Sequence, residues 1–202
     1  FFCAINLFVF VMADYKVCVV GDLAVGKSSL SIRKTERIFV ETYDPTLDDL
    51  FKFKSTINNV TYCTHIYDTV FHIEEARPMK EHYYKACTGF ILVYSVTSRS
   101  SFDLVGEIYR EILEEKKESK ISFVLVGNKC DLQVDRQVDK EEGEELAKIL
   151  NCPFFEASAK DDINVDALFD SLVKRLHESE NVVKIEDKSK RSRLKNFFKN
   201  KI

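Results

Sequence analysis

The sequence has no CxxC pair, no internal repeat, no apolar run of twenty residues and no strong excess of either charge. Each absence removes a class. Without paired or regularly spaced cysteines there is no sign of a zinc ribbon or a disulfide framework. The six cysteines, Cys3, Cys18, Cys63, Cys87, Cys130 and Cys152, sit mostly in apolar runs and read as buried thiols of a reducing cytosol. With 30 Lys and Arg against 33 Asp and Glu, the net charge of -3 argues against a general polyanion binder, and no nucleic-acid partner is expected. Residues 1–11 are strongly apolar, but a membrane span takes roughly 20 such residues. They also lack the basic start and small-residue cleavage site of a secretory signal. They are read as translated upstream sequence ahead of Met12, with an appended strand or anchor as the alternative.

What is present suits one compact α/β domain with a tail: 202 residues, 45% hydrophobic and 31% charged. The expected division is an apolar leader over 1–12, a domain over 13–178 and a basic tail over 179–202. Strand patterns fall at 15–20, 49–57, 60–67, 89–96, 121–127 and 153–156. Helical patterns fall at 27–37, 101–118, 139–150 and 165–177, and the stretch 70–78 reads as irregular. Asn58-Asn59 separates the second and third strands and tolerates left-handed turn conformations, so these two form a hairpin. Alternation of the remainder predicts a doubly wound α/β sheet of six strands, mostly parallel with one antiparallel edge strand, and helices on both faces.

Chemistry concentrates in a few short segments. Gly21-Asp22-Leu23-Ala24-Val25-Gly26-Lys27-Ser28 fits G-x-x-x-x-G-K-[ST] between a strand and a helix. Glycines let the backbone turn its N–H groups toward phosphate, the helix N-terminus adds a positive dipole end, and Lys27 supplies charge. Ser28 offers a hydroxyl to magnesium, which keeps several waters and takes few protein oxygens. Asn128-Lys129-Cys130-Asp131 follows a strand at its carboxyl end, where open α/β sheets bind ligands. The Asp131 carboxylate accepts from the paired donors of guanine, whereas adenine has no such pair and would leave it unpartnered at about 1–3 kcal/mol. Glu156-Ala157-Ser158-Ala159-Lys160 follows the last strand and presents the Ala159 N–H to the guanine O6.

With Tyr43-Asp44-Pro45-Thr46 after the first helix and Asp68-Thr69 after the third strand, residues 15–177 resemble a Ras-type small GTPase in motif order and spacing. The resemblance implies GTP or GDP with magnesium. It places Leu23, Ala24, Val25, Gly26, Lys27, Ser28 and Ser29 around the phosphates. Phe39, Tyr43, Asn128, Lys129, Asp131, Ser158, Ala159 and Lys160 complete the nucleotide site, with the Phe39 ring against the base. Ser28 and Thr46 become magnesium ligands, and Asp68 acts through a water. Tyr43, Asp44, Pro45, Thr46, Leu47, Asp48, Asp49, Leu50 and Phe51 match the effector-binding stretch, with an edge strand suited to β-addition. Effector proteins, exchange factors and activating proteins are the implied partners of a monomeric switch in signal transduction.

Three departures bear on turnover and placement. The family's Asp-x-x-Gly-Gln is here Asp68-Thr69-Val70-Phe71-His72-Ile73-Glu74-Glu75, with neither glycine nor glutamine. Spacing to Gly89 implies one inserted residue, leaving His72 and Ile73 as alternatives for the glutamine's place. His72 is the candidate to position a water, against the plainer reading of an exposed loop histidine. Leu23 stands where the family has a small residue and takes space that an arginine finger needs, a group worth roughly 10³ to 10⁵ in rate. Slow hydrolysis and a GTP-loaded protein are expected, with a hydrolysis-deficient GTP-binding scaffold as the alternative; an ATP-using kinase or motor is disfavoured by the 128–131 loop. Finally, the last cysteine is Cys152, so no prenylation at the C-terminus is expected. From Lys188 onward there are seven basic residues and no acid, with Leu194, Phe197, Phe198 and Ile202 at helical spacing. That pattern fits an anionic membrane surface, at ~1 kcal/mol per basic residue. The expected location is therefore cytoplasmic and peripheral at the inner face of the plasma membrane. A nuclear-import or calmodulin-type signal and a solvated tail are the alternatives.

Overall fold

The computed structural model describes residues 13–40, 48–57, 60–69, 77–116 and 120–180. The elements run β1 (Ala13–Gly21), α1 (Lys27–Glu36), β2 (Asp48–Ile57), β3 (Val60–Thr69), α2 (Arg77–Ala86), β4 (Gly89–Ser95), α3 (Arg99–Lys116), β5 (Ser122–Asn128), α4 (Lys140–Leu150), β6 (Phe154–Ala157) and α5 (Val165–Glu180). They form one six-stranded sheet in the order β2-β3-β1-β4-β5-β6. Only the β2·β3 pair is antiparallel, and β2 is an edge strand, as expected. The leader, the Asn58-Asn59 turn and residues 181–202 lie outside the described residues.

Alternation along the strands divides the core between the two sheet faces. Phe90, Leu92 and Tyr94 of β4 join Cys18 and Val20 of β1 in a cluster with Tyr84, Phe102, Ile112 and Leu146 from α2, α3 and α4. Ile91 and Val93 face the other way, with Val17, Val19, Leu30, Leu168 and Leu172 from β1, α1 and α5. Central strands β4 and β5 are buried throughout, the signature of a parallel sheet covered on both sides. Each fully buried Leu or Ile in these clusters contributes about 1.5–3 kcal/mol relative to exposure.

Two expectations change. The stretch read as irregular from 70 to 78 gives way at Arg77 to a helix, α2. Pro78 at its second position lacks an N–H that the first helical turn would leave unpaired anyway. Met79, Tyr83, Tyr84 and Cys87 recur at helical spacing; Tyr84 and Cys87 are buried, and Tyr83 meets Tyr67 with ring centroids 5.3 Å apart. The cysteines also divide: Cys18 and Cys87 are buried, whereas Cys63, Cys130 and Cys152 are only half-buried. Being next to apolar residues in sequence does not bury a side chain that projects toward the rim of a sheet.

Candidate functional site

The carboxyl ends of β1, β5 and β6 open onto one cavity of about 630 Å³. Its lining includes Leu23, Ala24, Gly26, Lys27, Ser28, Ser29, Phe39, Asn128, Lys129, Asp131, Ala159 and Lys160. Twelve positions singled out by sequence are thus brought together from four separate segments. Val25 and Ser158 take other places. The Val25 side chain is in the core, 1% exposed, and its carbonyl accepts from Asn128 Nδ2. Ser158 is fully buried, and its hydroxyl accepts from the Asp161 N–H at 3.0 Å.

The loop after β1 has its shape because two glycines permit it. Gly26 has φ 94°, and a Cβ there would stand 2.3 Å from Asn128 Nδ2. At Gly21 (φ 154°) a Cβ would fall 2.0 Å from the Val93 carbonyl oxygen. Lys27 folds back over the turn, its ammonium donating to the carbonyls of Gly21 at 3.1 Å and Asp22 at 2.7 Å. Burial pulls its pKa below the ordinary lysine range, and the carboxylates of Asp68 and Asp22 counter part of that. The α1 N-terminus at Gly26 has no side-chain cap and no acid in its first turn. Its first N–H groups, at Lys27, Ser28 and Ser29, therefore belong to residues lining the cavity.

Asn128, the last residue of β5, couples the two ends of the cavity. Its Nδ2 donates to the Val25 carbonyl at 2.8 Å across 103 positions of sequence. Its Oδ1 is buried without a hydrogen-bond partner among the described residues. A left-handed Lys129 (φ 64°) then turns the chain so that Asp131 reaches the cavity. Cys130 N–H donates to the Ala157 carbonyl at 3.0 Å, holding the 128–131 and 156–160 loops side by side.

Sequence reasoning missed the residues that hold these loops. From α1, Arg33 donates to the carbonyls of Ala159 at 2.8 Å and Lys160 at 2.9 Å. Asn164 Nδ2 donates to the Glu156 carbonyl at 2.7 Å, and Arg136 pairs with the Glu156 carboxylate at 2.5 Å. None belongs to a contiguous motif, so no local signal marks them. Val40 and Leu132 also line the cavity, each next to a residue the sequence did single out.

The residues present fit an anionic ligand with a magnesium ion. The uncapped helix start and the Asn128 side-chain carbonyl have no side-chain partner among the described residues, and the buried Lys27 ammonium, bonded to two loop carbonyls, sets a positive charge beside the helix start. For the ion, the Ser28 hydroxyl lies in the first turn of α1, and Asp68 is 6% exposed on β3 with its charge acting on Lys27. Thr46, the third expected participant, and Tyr43, Asp44, Pro45, Leu47 and His72 lie outside the described residues. Asp48 and Asp49, expected as part of an effector-binding stretch, form the start of β2, opposite Thr69 and Asp68 of β3. Leu50 is 50% exposed, and Phe51 packs against the core.

Sheet order, glycine turn and cavity together define a P-loop α/β domain. A sequence model of the Ras family matches residues 16–178. Ras-like protein 1 of Saccharomyces cerevisiae is 46% identical over 161 residues, covering 80% of this chain and 52% of that protein. The chain belongs to the Ras family, and it spans about half the length of this curated relative.

Proposed function

We propose that the chain is a guanine-nucleotide-dependent molecular switch that binds GTP and GDP with magnesium and recruits effector proteins while GTP is bound. The observation that carries this reading is the single cavity joining the α1 N-terminus and Lys27 at one end to Lys129, Asp131 and Ala159 at the other. Lys27 and the first N–H groups of α1 hold the phosphates. Asp131 accepts from the guanine donors, Ala159 donates its N–H to the base oxygen, and Phe39 covers the ring. Ser28 and Thr46 would hold magnesium, with Asp68 acting through a water, and the ion would neutralise charge at the phosphates.

Turnover is slow in this reading. Leu23 lines the cavity at 58% exposure and crowds the approach of an arginine finger. Residues 70–75 supply neither the glycine nor the glutamine that positions a water, and His72 is the one side chain of suitable chemistry there. Effectors dock on the stretch 43–51, whose last four residues, Asp48 to Phe51, begin the edge strand β2. Exchange factors and activating proteins act on the same face, and the basic tail from Lys188 onward rests on an anionic membrane. A second reading, a GTP-loaded scaffold without useful turnover, is favoured by the same Leu23 placement.

Nucleotide extracted from the purified protein separates the two: GDP marks a cycling enzyme and GTP the scaffold. A single-turnover assay then measures the rate directly. Hydrolysis at ordinary family speed, accelerated by an activating protein, would contradict the slow-turnover reading.

A further inference from the structure

We propose that Asp14, Cys63 and His65 form a binding site for a zinc-like divalent transition-metal ion at the amino end of the sheet. Asp14 of β1 stands opposite Cys63 of β3 in the parallel register, and His65 lies two residues along β3 on the same face. The Cys63 Sγ and His65 Nε2 atoms are 3.8 Å apart, and the ligand atoms of all three residues lie within 4.8 Å of one another. A tetrahedral zinc with Zn–S of about 2.3 Å and Zn–N of about 2.0–2.1 Å sets its sulfur and nitrogen ligands roughly 3.6 Å apart. Cys63 and His65 therefore already stand at the spacing a shared ion requires. Asp14 is exposed, so its carboxylate can rotate to complete the set. Three protein ligands leave a fourth position for water.

The surroundings select the kind of ion. Lys52 and Lys54 of β2 oppose His65 and Cys63, and Lys16 of β1 opposes His65. A hard cation such as magnesium or calcium, held by charge and oxygen ligands, gains little on a face carrying three ammonium groups. Thiolate and imidazole bond zinc-like ions strongly enough to overcome that field. Binding releases the Cys63 thiol proton to solvent as the S–metal bond forms. The site is separate from the nucleotide cavity: Asp14 precedes Gly21 by seven residues of β1, about 23 Å of strand. An ion here ties β1 to β3, the strand that carries Asp68.

The test uses the full chain, stripped with a chelator and then kept in excess magnesium and GDP so that the nucleotide site is occupied. Zinc is titrated against a chromophoric chelator, and cobalt is titrated while the ultraviolet thiolate-to-metal charge-transfer band is followed. The expected result is one ion per chain with that band present. Cys63→Ser and His65→Ala each weaken zinc by at least about 100-fold, beyond the roughly 10- to 100-fold that outer-shell partners of a metal site cost. Cys152→Ser leaves binding unchanged. Asp14→Asn, an exposed and nearly isosteric change that does not threaten folding, weakens zinc by about tenfold or more. The proposal is overturned if cobalt binds without a sulfur band, if Cys63→Ser or Asp14→Asn binds zinc as the unaltered chain does, or if zinc cannot compete with the chelator, which would leave Cys63 and His65 as a simple S–H···N pair.

Discussion

The two ends of the same parallel sheet assemble their polar groups in different ways. At the carboxyl end, all the residues lining the cavity except Phe39 and Val40 come from three short contiguous segments, 23–29, 128–132 and 159–160, whose loops are hydrogen-bonded to one another. At the amino end, Asp14, Cys63 and His65 come together only through the β1·β3 register. Turns that follow strands can point backbone N–H groups and short side chains at a ligand, whereas the flat face of a sheet offers only side chains in pleat register. The first kind of site writes a motif into the sequence, and the second does not.

Substitutions at the carboxyl end should act on the nucleotide and leave the amino end untouched. The largest effect is expected from Lys27→Ala, which removes the only cavity-lining ammonium bonded within the phosphate turn among the described residues. Charge-assisted bonds are worth about 1.5–3 kcal/mol each, so GDP affinity should fall by at least about 100-fold while zinc affinity stays constant. Next is Asp131→Ala: the preference for GDP over ADP, measured by competition, should shrink by about tenfold to hundredfold. Gly26→Ala then tests the turn itself. Its φ of 94° and the 2.3 Å approach of Asn128 Nδ2 predict a loss of about 1–3 kcal/mol in denaturant unfolding, with weakened GDP binding.

Arg33→Ala is gentler, since it releases two loop carbonyls and leaves the motifs intact. A loss of about 1 kcal/mol, or about fivefold in GDP affinity, is expected from calorimetric titration. The smallest effect concerns protons. Burial lowers the Lys27 pKa from 10.5, so between that lowered value and 10.5 the unfolded chain holds more protons than the folded one. Stability of the nucleotide-free protein therefore rises with pH across that window. Phosphates favour the charged ammonium, so GDP binding at alkaline pH should take up protons, read from calorimetry in buffers of different ionisation enthalpy. Proton release there would contradict the placement of Lys27.

The legible parts of the fold were those with local causes. The turn at 21–28, the hairpin strands and the all-buried β4 and β5 follow from glycine placement and apolar period, and their bounds shift by only one or two residues. The helix α2 was hidden because Pro78 and a charged first turn mask the spacing of Met79, Tyr83, Tyr84 and Cys87. Helix ends depend on partners far away: α3 begins at Arg99, whose guanidinium reaches Glu142 at 2.6 Å, and α5 runs past His177, which meets the Tyr62 hydroxyl at 2.6 Å. The same distance in sequence hid Arg33 and Asn164 behind the 156–160 loop. It also hid the neighbours of Cys63, whose spacing in the chain gives no hint of Asp14.

The central claim is that Asp131 and the turn at Gly21 to Ser28 belong to one site for a guanine nucleotide. Equilibrium titration of the nucleotide-free chain with GDP and with ADP, in the presence of magnesium, tests it most directly. GDP is expected to bind at least about tenfold tighter than ADP, with the preference lost in Asp131→Ala. Equal affinity for the two nucleotides, or a preference that survives Asp131→Ala, would contradict it.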